Sequence, residues 1–197
     1  MFQLQELDED GAVEALAATE YDMLVIEAGY NFSDWAYDDD LVRDAASEAD
    51  VSPENSMITF IEELGNSGRA IDPNFLVVAQ NAIYLIDADP DRYINAIDAI
   101  AIEDTWFHGW GDSDWDDPDG GDQRDRHDDD YSTKARLAQV SMYQKAGLPV
   151  FSVDYSLNKD NASMVYNEAR SQGFIPLVTR VALSRLTETP PTKLASE

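Results

Sequence analysis

Short apolar runs alternate with longer amphipathic stretches along this chain. The runs are continuous in hydrophobic character and rich in β-branched residues, as in strands that are covered on both faces. Turn residues and charged residues separate them from the stretches that follow. The pattern predicts strands within residues 1–5, 21–28, 75–81, 98–104, 149–155 and 174–180.

Several of these strands are separated by segments with helical periodicity. Apolar residues recur at helical spacing over residues 55–71, although Gly65 and Gly68 weaken the end of that stretch. Further helices are predicted over residues 89–97, 133–148 and 161–173. Alternation of buried strands with helices predicts an α/β fold in which helices cover a parallel sheet.

Two segments do not follow this alternation. Residues 31–52 are polar and contain no convincing strand, and residues 107–131 form an acidic segment with ten Asp between Asp112 and Asp130. We interpret the acidic segment as a long mobile loop. Its spacing lacks the glycine and glutamate positions of an EF-hand, so no metal site is predicted there. The domain prediction is a single domain over residues 1–189 followed by a tail, 190–197.

Charge narrows the classes of partner. The formal net charge of the 197-residue chain is −27, with 40 Asp and Glu against 13 Lys and Arg. Such a polyanion is repelled by nucleic acid and by anionic membranes, and we interpret the charge as halophilic adaptation of a solvated surface. The chain has no cysteine, which excludes disulfides, zinc–thiolate sites and cysteine nucleophiles. The N-terminus resembles no signal peptide, and no apolar run reaches the ~20 residues of a spanning helix, so we expect a soluble protein. We also expect a monomer that uses no cofactor.

The predicted strands end in residues suited to carbohydrate. Ligands of parallel α/β domains bind at the carboxyl ends of the strands. Carboxylates, amides and aromatic rings follow the strands there, and these groups can bind sugar hydroxyls and stack on sugar rings. Glycoside cleavage requires two carboxyl groups, and a carboxyl group among aromatic residues is desolvated as a general acid requires. The residues are Gln3, Glu27, Gln80, Asn81, Glu103, Asp104, Trp106, Asp154 and Tyr155.

Structural roles are the alternative explanation for the same residues. Glu103 and Asp104 are also suited to capping the turn that follows their strand. Asp154 is suited to forming a turn, and Trp106 to packing beneath the long loop. No motif supports a Ser-His-Asp triad.

Four motifs resemble, in order, the glycoside hydrolase family 114 domain. They are FLVVAQN, IDAIAIEDTWF, GLPVFSVDY and GFIPLVTR. The resemblance implies a (β/α)8 TIM barrel and the activity of an endo-α-1,4-polygalactosaminidase, an enzyme that cleaves galactosamine-containing polysaccharide. It implies that Glu103 is the catalytic acid or base. It also implies sugar-binding roles for Gln80, Asn81, Asp154 and Tyr155, while Glu27 stands where the family commonly has Asp.

The chain departs from the family in one region. The family's third and fourth strands, the latter carrying its second catalytic carboxylate, have no counterpart in residues 31–52. A complete barrel needs about 250 residues, so we expect a barrel-like α/β domain with about six recognisable strands. Activity is therefore expected to be weak or absent. The alternative to a hydrolase is a degenerate or truncated relative that binds polysaccharide without cleaving it. Family members are often extracellular.

Overall fold

Strands and helices alternate in the part of the chain that the structure, a computed structural model, describes. The described residues are 23–27, 47, 50, 52–109, 122–124 and 132–181. The chain divides into two compact units, Met1–Ile100 and Ala101–Glu197. The predictions for residues 1–5, for Gln3 and for the tail 190–197 lie outside the described residues, as do most of the polar segment 31–52 and most of the acidic segment 107–131.

The first unit begins, in its described part, with a parallel pair of strands. Strand β1 (Met23–Glu27) runs parallel to β2 (Leu76–Gln80), with Met23 opposite Leu76 and Glu27 opposite Gln80. Helix α1 (Pro53–Ile71) separates them, and a short 3₁₀ turn (Leu85–Asp87) and helix α2 (Pro90–Ala96) follow β2. The cores of these elements include Ile58, Ile61, Leu64, Val77, Ile86 and Tyr93, all at most 1% exposed.

Local side chains start both helices of this unit. The Ser52 hydroxyl accepts a hydrogen bond from the backbone N–H of Asn55, and the Asp89 carboxylate accepts one from that of Arg92. Each helix has a proline in its first turn, where the missing N–H has no intrahelical partner to lose. These are signals that a sequence contains, and both helices lie where the sequence predicted them, within two residues at each end.

Helix α1 continues through the two glycines that were expected to weaken its end. A Cβ atom on Gly68 would lie 2.3 Å from Cδ1 of Phe75, closer than real contacts allow. The Phe75 ring therefore lies directly against the backbone of α1. Glycine in this helix permits a close approach to the segment that leads into β2, and packing offsets the low helix propensity of glycine.

The second unit repeats the strand–helix order. Strand β3 (Ala99–Glu103) crosses the boundary between the units and is followed by helix α3 (Thr133–Lys145), strand β6 (Val150–Tyr155), helix α4 (Lys159–Ser171) and strand β7 (Ile175–Thr179). Strands β6 and β7 are parallel, with Phe151 opposite Ile175 and Tyr155 opposite Thr179. The parallel pair β1–β2 of the first unit and the parallel pair β6–β7 of the second confirm the predicted α/β fold with parallel strands.

The acidic segment contains structure that the sequence pattern did not predict. Strand β4 (Phe107–His108) pairs antiparallel with β5 (Gln123–Arg124), with His108 opposite Gln123. Two-residue strands carry no periodicity, so the hydrophobic pattern could not reveal them. Among the described residues, no helix is long and apolar enough to cross a membrane.

Tyr166 connects helix α4 to the backbone of strand β7, and a substitution there tests how the two elements pack. Its hydroxyl on α4 accepts a hydrogen bond of 3.1 Å from the buried backbone N–H of Val178. Tyr166→Phe should lower the free energy of unfolding by about 1–3 kcal/mol, because a buried donor loses its partner. Urea unfolding measures the loss. Tyr84→Phe, at a side chain that is 40% exposed, is the matched control and should change stability by less than about 0.5 kcal/mol. Equal losses in both variants would contradict the assignment.

Candidate active site

Two strand ends of the second unit meet through their side chains. Glu103 is the last residue of β3 and Tyr155 the last residue of β6. The Tyr155 hydroxyl donates a hydrogen bond of 2.5 Å to Oε1 of Glu103. The Glu103 side chain is half-buried and Tyr155 is 8% exposed. A carboxylate held by a phenol at the carboxyl edge of a parallel sheet is oriented for acid–base chemistry.

The residue after β3 adopts a backbone conformation that is rare outside glycine. Asp104 has φ +54°, and its N–H donates a hydrogen bond of 3.0 Å to the carbonyl of Val153. In the first unit, Asn81 occupies the equivalent position after β2, with φ +58°. Asp and Asn tolerate this left-handed region better than most residues do, and backbone strain concentrates at functional sites. The Gln80-Asn81 and Glu103-Asp104 motifs thus share one local geometry.

Asp154 lies beneath the turn that follows Glu103. Its side chain is 0% exposed, and Oδ1 accepts hydrogen bonds from the backbone N–H of Trp106 at 2.6 Å and of Phe107 at 2.9 Å. Burial raises the pKa of Asp154 from 3.8 to about 6 against the lowering effect of these two bonds; nearby Asp104 raises it further and Arg136 lowers it. A fully buried carboxylate makes no direct contact with a sugar, so the structure places Asp154 under the predicted site.

Helix α3 supports the same turn through two side chains. The buried Arg136 donates a hydrogen bond of 2.7 Å from Nη1 to the carbonyl oxygen of Glu103. The Thr133 hydroxyl donates one of 2.6 Å to the carbonyl of Thr105. The sequence predicted a role for neither residue. The one signal that could have indicated a role for Arg136 is its position within the apolar periodicity of the helix. The backbone that carries Glu103 is fixed by α3 as well as by β6.

Trp106 packs inside the second unit. It is 7% exposed, and its ring centroid lies 6.1 Å from that of Phe174 at a tilt of 54°. This is an aromatic packing geometry. The arrangement favours a packing role for Trp106, beneath the segment that follows it, over the predicted role in stacking against a sugar ring.

Asp122 fastens the acidic segment to the loop after β6. Its carboxylate accepts hydrogen bonds from the Ser156 hydroxyl at 2.5 Å and from the backbone N–H groups of Leu157 at 2.8 Å and Asn158 at 3.3 Å. The Asn161 side-chain amide donates a fourth, at 2.7 Å. Sequence reasoning treated this residue as one of ten solvated aspartates. No local signal separates it from the other nine.

Removal of the Asp122 carboxylate should destabilise the fold measurably. Asp122→Ala leaves four donors without their acceptor, and we expect the free energy of unfolding to fall by about 1.5–3 kcal/mol, the range for hydrogen bonds to a charged group. Urea unfolding at fixed salt concentration measures the change. Asp117→Ala in the same segment alters the net charge equally and is the control. A loss of the same size in the control would attribute the effect to charge alone.

The remaining predicted residues fall in the first unit or outside the described residues. Gln80 and Asn81 are half-buried at the end of β2, and the Glu27 backbone pairs with Gln80 at the end of β1. Gln3 lies outside the described residues. The second unit brings together five of the predicted residues, which are Glu103, Asp104, Trp106, Asp154 and Tyr155.

Comparisons with known proteins define the fold class. No family model matches the chain. An uncharacterized protein of Deinococcus radiodurans is 28% identical over 179 residues, which is 90% of this chain and 51% of that protein. The glycoside hydrolase domain of PelA from Pseudomonas aeruginosa superposes with a TM-score of 0.61 at 15% identity, over 90% of this chain and 60% of that domain. A glutamate-to-alanine variant of the domain gives 0.62 at 16% identity.

These similarities establish a glycoside-hydrolase-like α/β fold for the chain. The chain spans about half the length of the curated relative and 60% of the hydrolase domain. Sequence identity to the solved structures is 15% and 16%, a level at which the likeness concerns the fold.

Proposed function

We propose that this chain is a glycoside hydrolase of the endo-α-1,4-polygalactosaminidase type and that Glu103 is its catalytic acid or base. The observation that carries the proposal is the 2.5 Å hydrogen bond from Tyr155 to Glu103 at the carboxyl ends of β3 and β6. In this proposal the described strands belong to a (β/α)8 barrel. The TM-score of 0.61 to a glycoside hydrolase domain supports it.

Each neighbour of Glu103 contributes to its task in a definable way. Tyr155 holds the carboxylate in one orientation, and Arg136 fixes the main-chain carbonyl of the same residue. Placement of the acid relative to the glycosidic oxygen is therefore set by two different elements, β6 and α3. Protonation of the leaving oxygen by such a group promotes formation of an oxocarbenium-like transition state.

The charge of the protein supports an amino-sugar substrate. A net charge of −27 attracts polymers that carry free ammonium groups and repels anionic ones. Asp104, beside Glu103, is the proposed contact for such a group. Gln3, Glu27, Gln80 and Asn81 also remain proposed substrate contacts. The proposed substrate class is galactosamine-containing polysaccharide with free amino groups.

A polysaccharide-binding protein without hydrolytic activity is the second candidate. The observation that favours it is the complete burial of Asp154, which removes one carboxyl group from the face of the sheet that would meet substrate. Hydrolysis requires two carboxyl groups on either side of the scissile bond. A chain with Glu103 alone would retain the binding surface and lose the chemistry.

Polymer cleavage and polymer binding distinguish these candidates. The full chain would be incubated at high salt with deacetylated galactosamine polymer, with its N-acetylated form and with a neutral galactan, and new reducing ends would be counted. Release from the deacetylated polymer, absent in Glu103→Gln, supports the hydrolase. Co-sedimentation with that polymer without new reducing ends supports the binding protein. Neither cleavage nor binding would overturn both candidates.

A further inference from the structure

Asp154 connects the interior of the second unit to the turn that carries Glu103. One of its oxygen atoms accepts hydrogen bonds from two successive backbone amides, those of Trp106 and Phe107. These amides belong to the chain just beyond Glu103 and Asp104. Since the acceptor lies on β6, this carboxyl group fixes the turn against β6, beside the backbone hydrogen bond from the Asp104 N–H to the Val153 carbonyl.

We propose that Asp154 is a positioning residue whose ionised carboxylate holds the turn after Glu103 against β6, so that protonation loosens the turn and makes the placement of Glu103 dependent on pH. The importance of Glu103 in this statement rests on the proposed function. The attachment of the turn rests on the hydrogen bonds alone. Hydrogen bonds to an ionised acceptor are roughly twice as strong as those between neutral groups, so the charge state of Asp154 sets the strength of the attachment.

The surroundings of Asp154 suit a group that takes up a proton near pH 6. Among the described residues, its Oδ2 atom is buried and has no hydrogen-bond partner. The charged groups that act on it there are Asp104, on the connection after β3, and Arg136, on α3. Burial and Asp104 favour the neutral form, whereas Arg136 and the two amides favour the ionised form. The opposing effects leave the pKa at about 6.

A purely structural anchor would not require an ionisable group here. Asparagine has the same shape, and its Oδ1 can accept both backbone N–H groups. Asp154→Asn therefore preserves the attachment while removing its pH dependence. Asp154→Ala removes both, which makes the two substitutions a matched pair.

Backbone amide shifts in the full chain test the proposal without reference to catalysis. We expect the amide protons of Trp106 and Phe107 to move downfield together as pH rises from 4 to 8, with one midpoint at about 6. In Asp154→Asn the movement should vanish while both signals remain dispersed. In Asp104→Asn the midpoint should fall, because a like charge near Asp154 is removed. Amide shifts that stay flat in the wild type, or that titrate unchanged in Asp154→Asn, would overturn the proposal.

A cleavage assay on deacetylated galactosamine polymer separates this inference from the proposed function. We expect the kcat of the wild type to fall below about pH 6 and that of Asp154→Asn to lose this dependence, with KM little changed. Amides that titrate in a chain without cleavage would leave the attachment standing and contradict the hydrolase. Cleavage with flat amide shifts would support the hydrolase and contradict the attachment.

Discussion

Replacing Glu103 with glutamine is expected to lower the rate of polymer cleavage by about 10²- to 10⁴-fold, the usual contribution of a positioned general acid or base. Glutamine keeps an Oε1 atom that can accept the 2.5 Å hydrogen bond from Tyr155. The loss should therefore report the missing proton and not a displaced side chain. Reducing-end release from deacetylated galactosamine polymer measures the rate, and excess protein with long incubation makes a low wild-type rate detectable.

Two further variants show whether the effect belongs to the site. Tyr155→Phe removes the hydroxyl that orients Glu103 and should cost about 10- to 100-fold, since hydrogen bonds to charged groups are worth about 1.5–3 kcal/mol. Glu168→Gln makes the same chemical change on an exposed face of α4 and should leave the rate unchanged. Wild-type turnover in Glu103→Gln would refute the catalytic assignment.

Asp154→Asn should become more stable than the wild type as pH rises from 4 to 6, because the wild type loses stability over this range and the variant does not. The pKa of Asp154 is raised in the fold from 3.8 to about 6, so the folded protein holds this proton more tightly than the unfolded chain does. The stability that Asp154 contributes is present below pH 3.8 and is lost as pH rises to about 6, because the cost of burying the charge exceeds the gain from the two stronger hydrogen bonds to the turn. This difference corresponds to about 3 kcal/mol, which asparagine would not lose.

Urea unfolding of both proteins at pH 4 and pH 7 measures this linkage. At each pH the free energy of unfolding of the wild type is subtracted from that of Asp154→Asn, and the two results are compared. All measurements use one salt concentration, because a net charge of −27 makes stability depend on screening. Asp160→Asn, at an exposed residue of α4, is the control and should show a much smaller change. A stability difference that is the same at both pH values would contradict the raised pKa.

Much of the fold follows from local signals in the sequence. Continuous apolar runs predicted β3, β6 and β7, and the burial of successive residues in β3 is that of a strand covered on both faces. Ser52 and Asp89 are further local signals that the sequence contains, since each caps a helix by accepting a hydrogen bond from an amide only three residues away. The ends of the apolar runs also predicted that Glu103 and Tyr155 lie at strand ends. Because parallel strands bring their carboxyl ends to one edge of a sheet, the two residues were expected on the same edge.

The tertiary structure decided which acidic residues are exposed and which are structural. The sequence alone does not separate three of these residues: Asp122 lies in a predicted loop, and Asp154 and Glu103 lie near the ends of predicted strands. In the fold, Asp154 binds amides 47 and 48 residues away, and Asp122 binds groups 34 to 39 residues away. Periodicity and capping report only neighbours within about one helical turn. The partners of these carboxylates are therefore fixed by chain packing, which sequence patterns do not record.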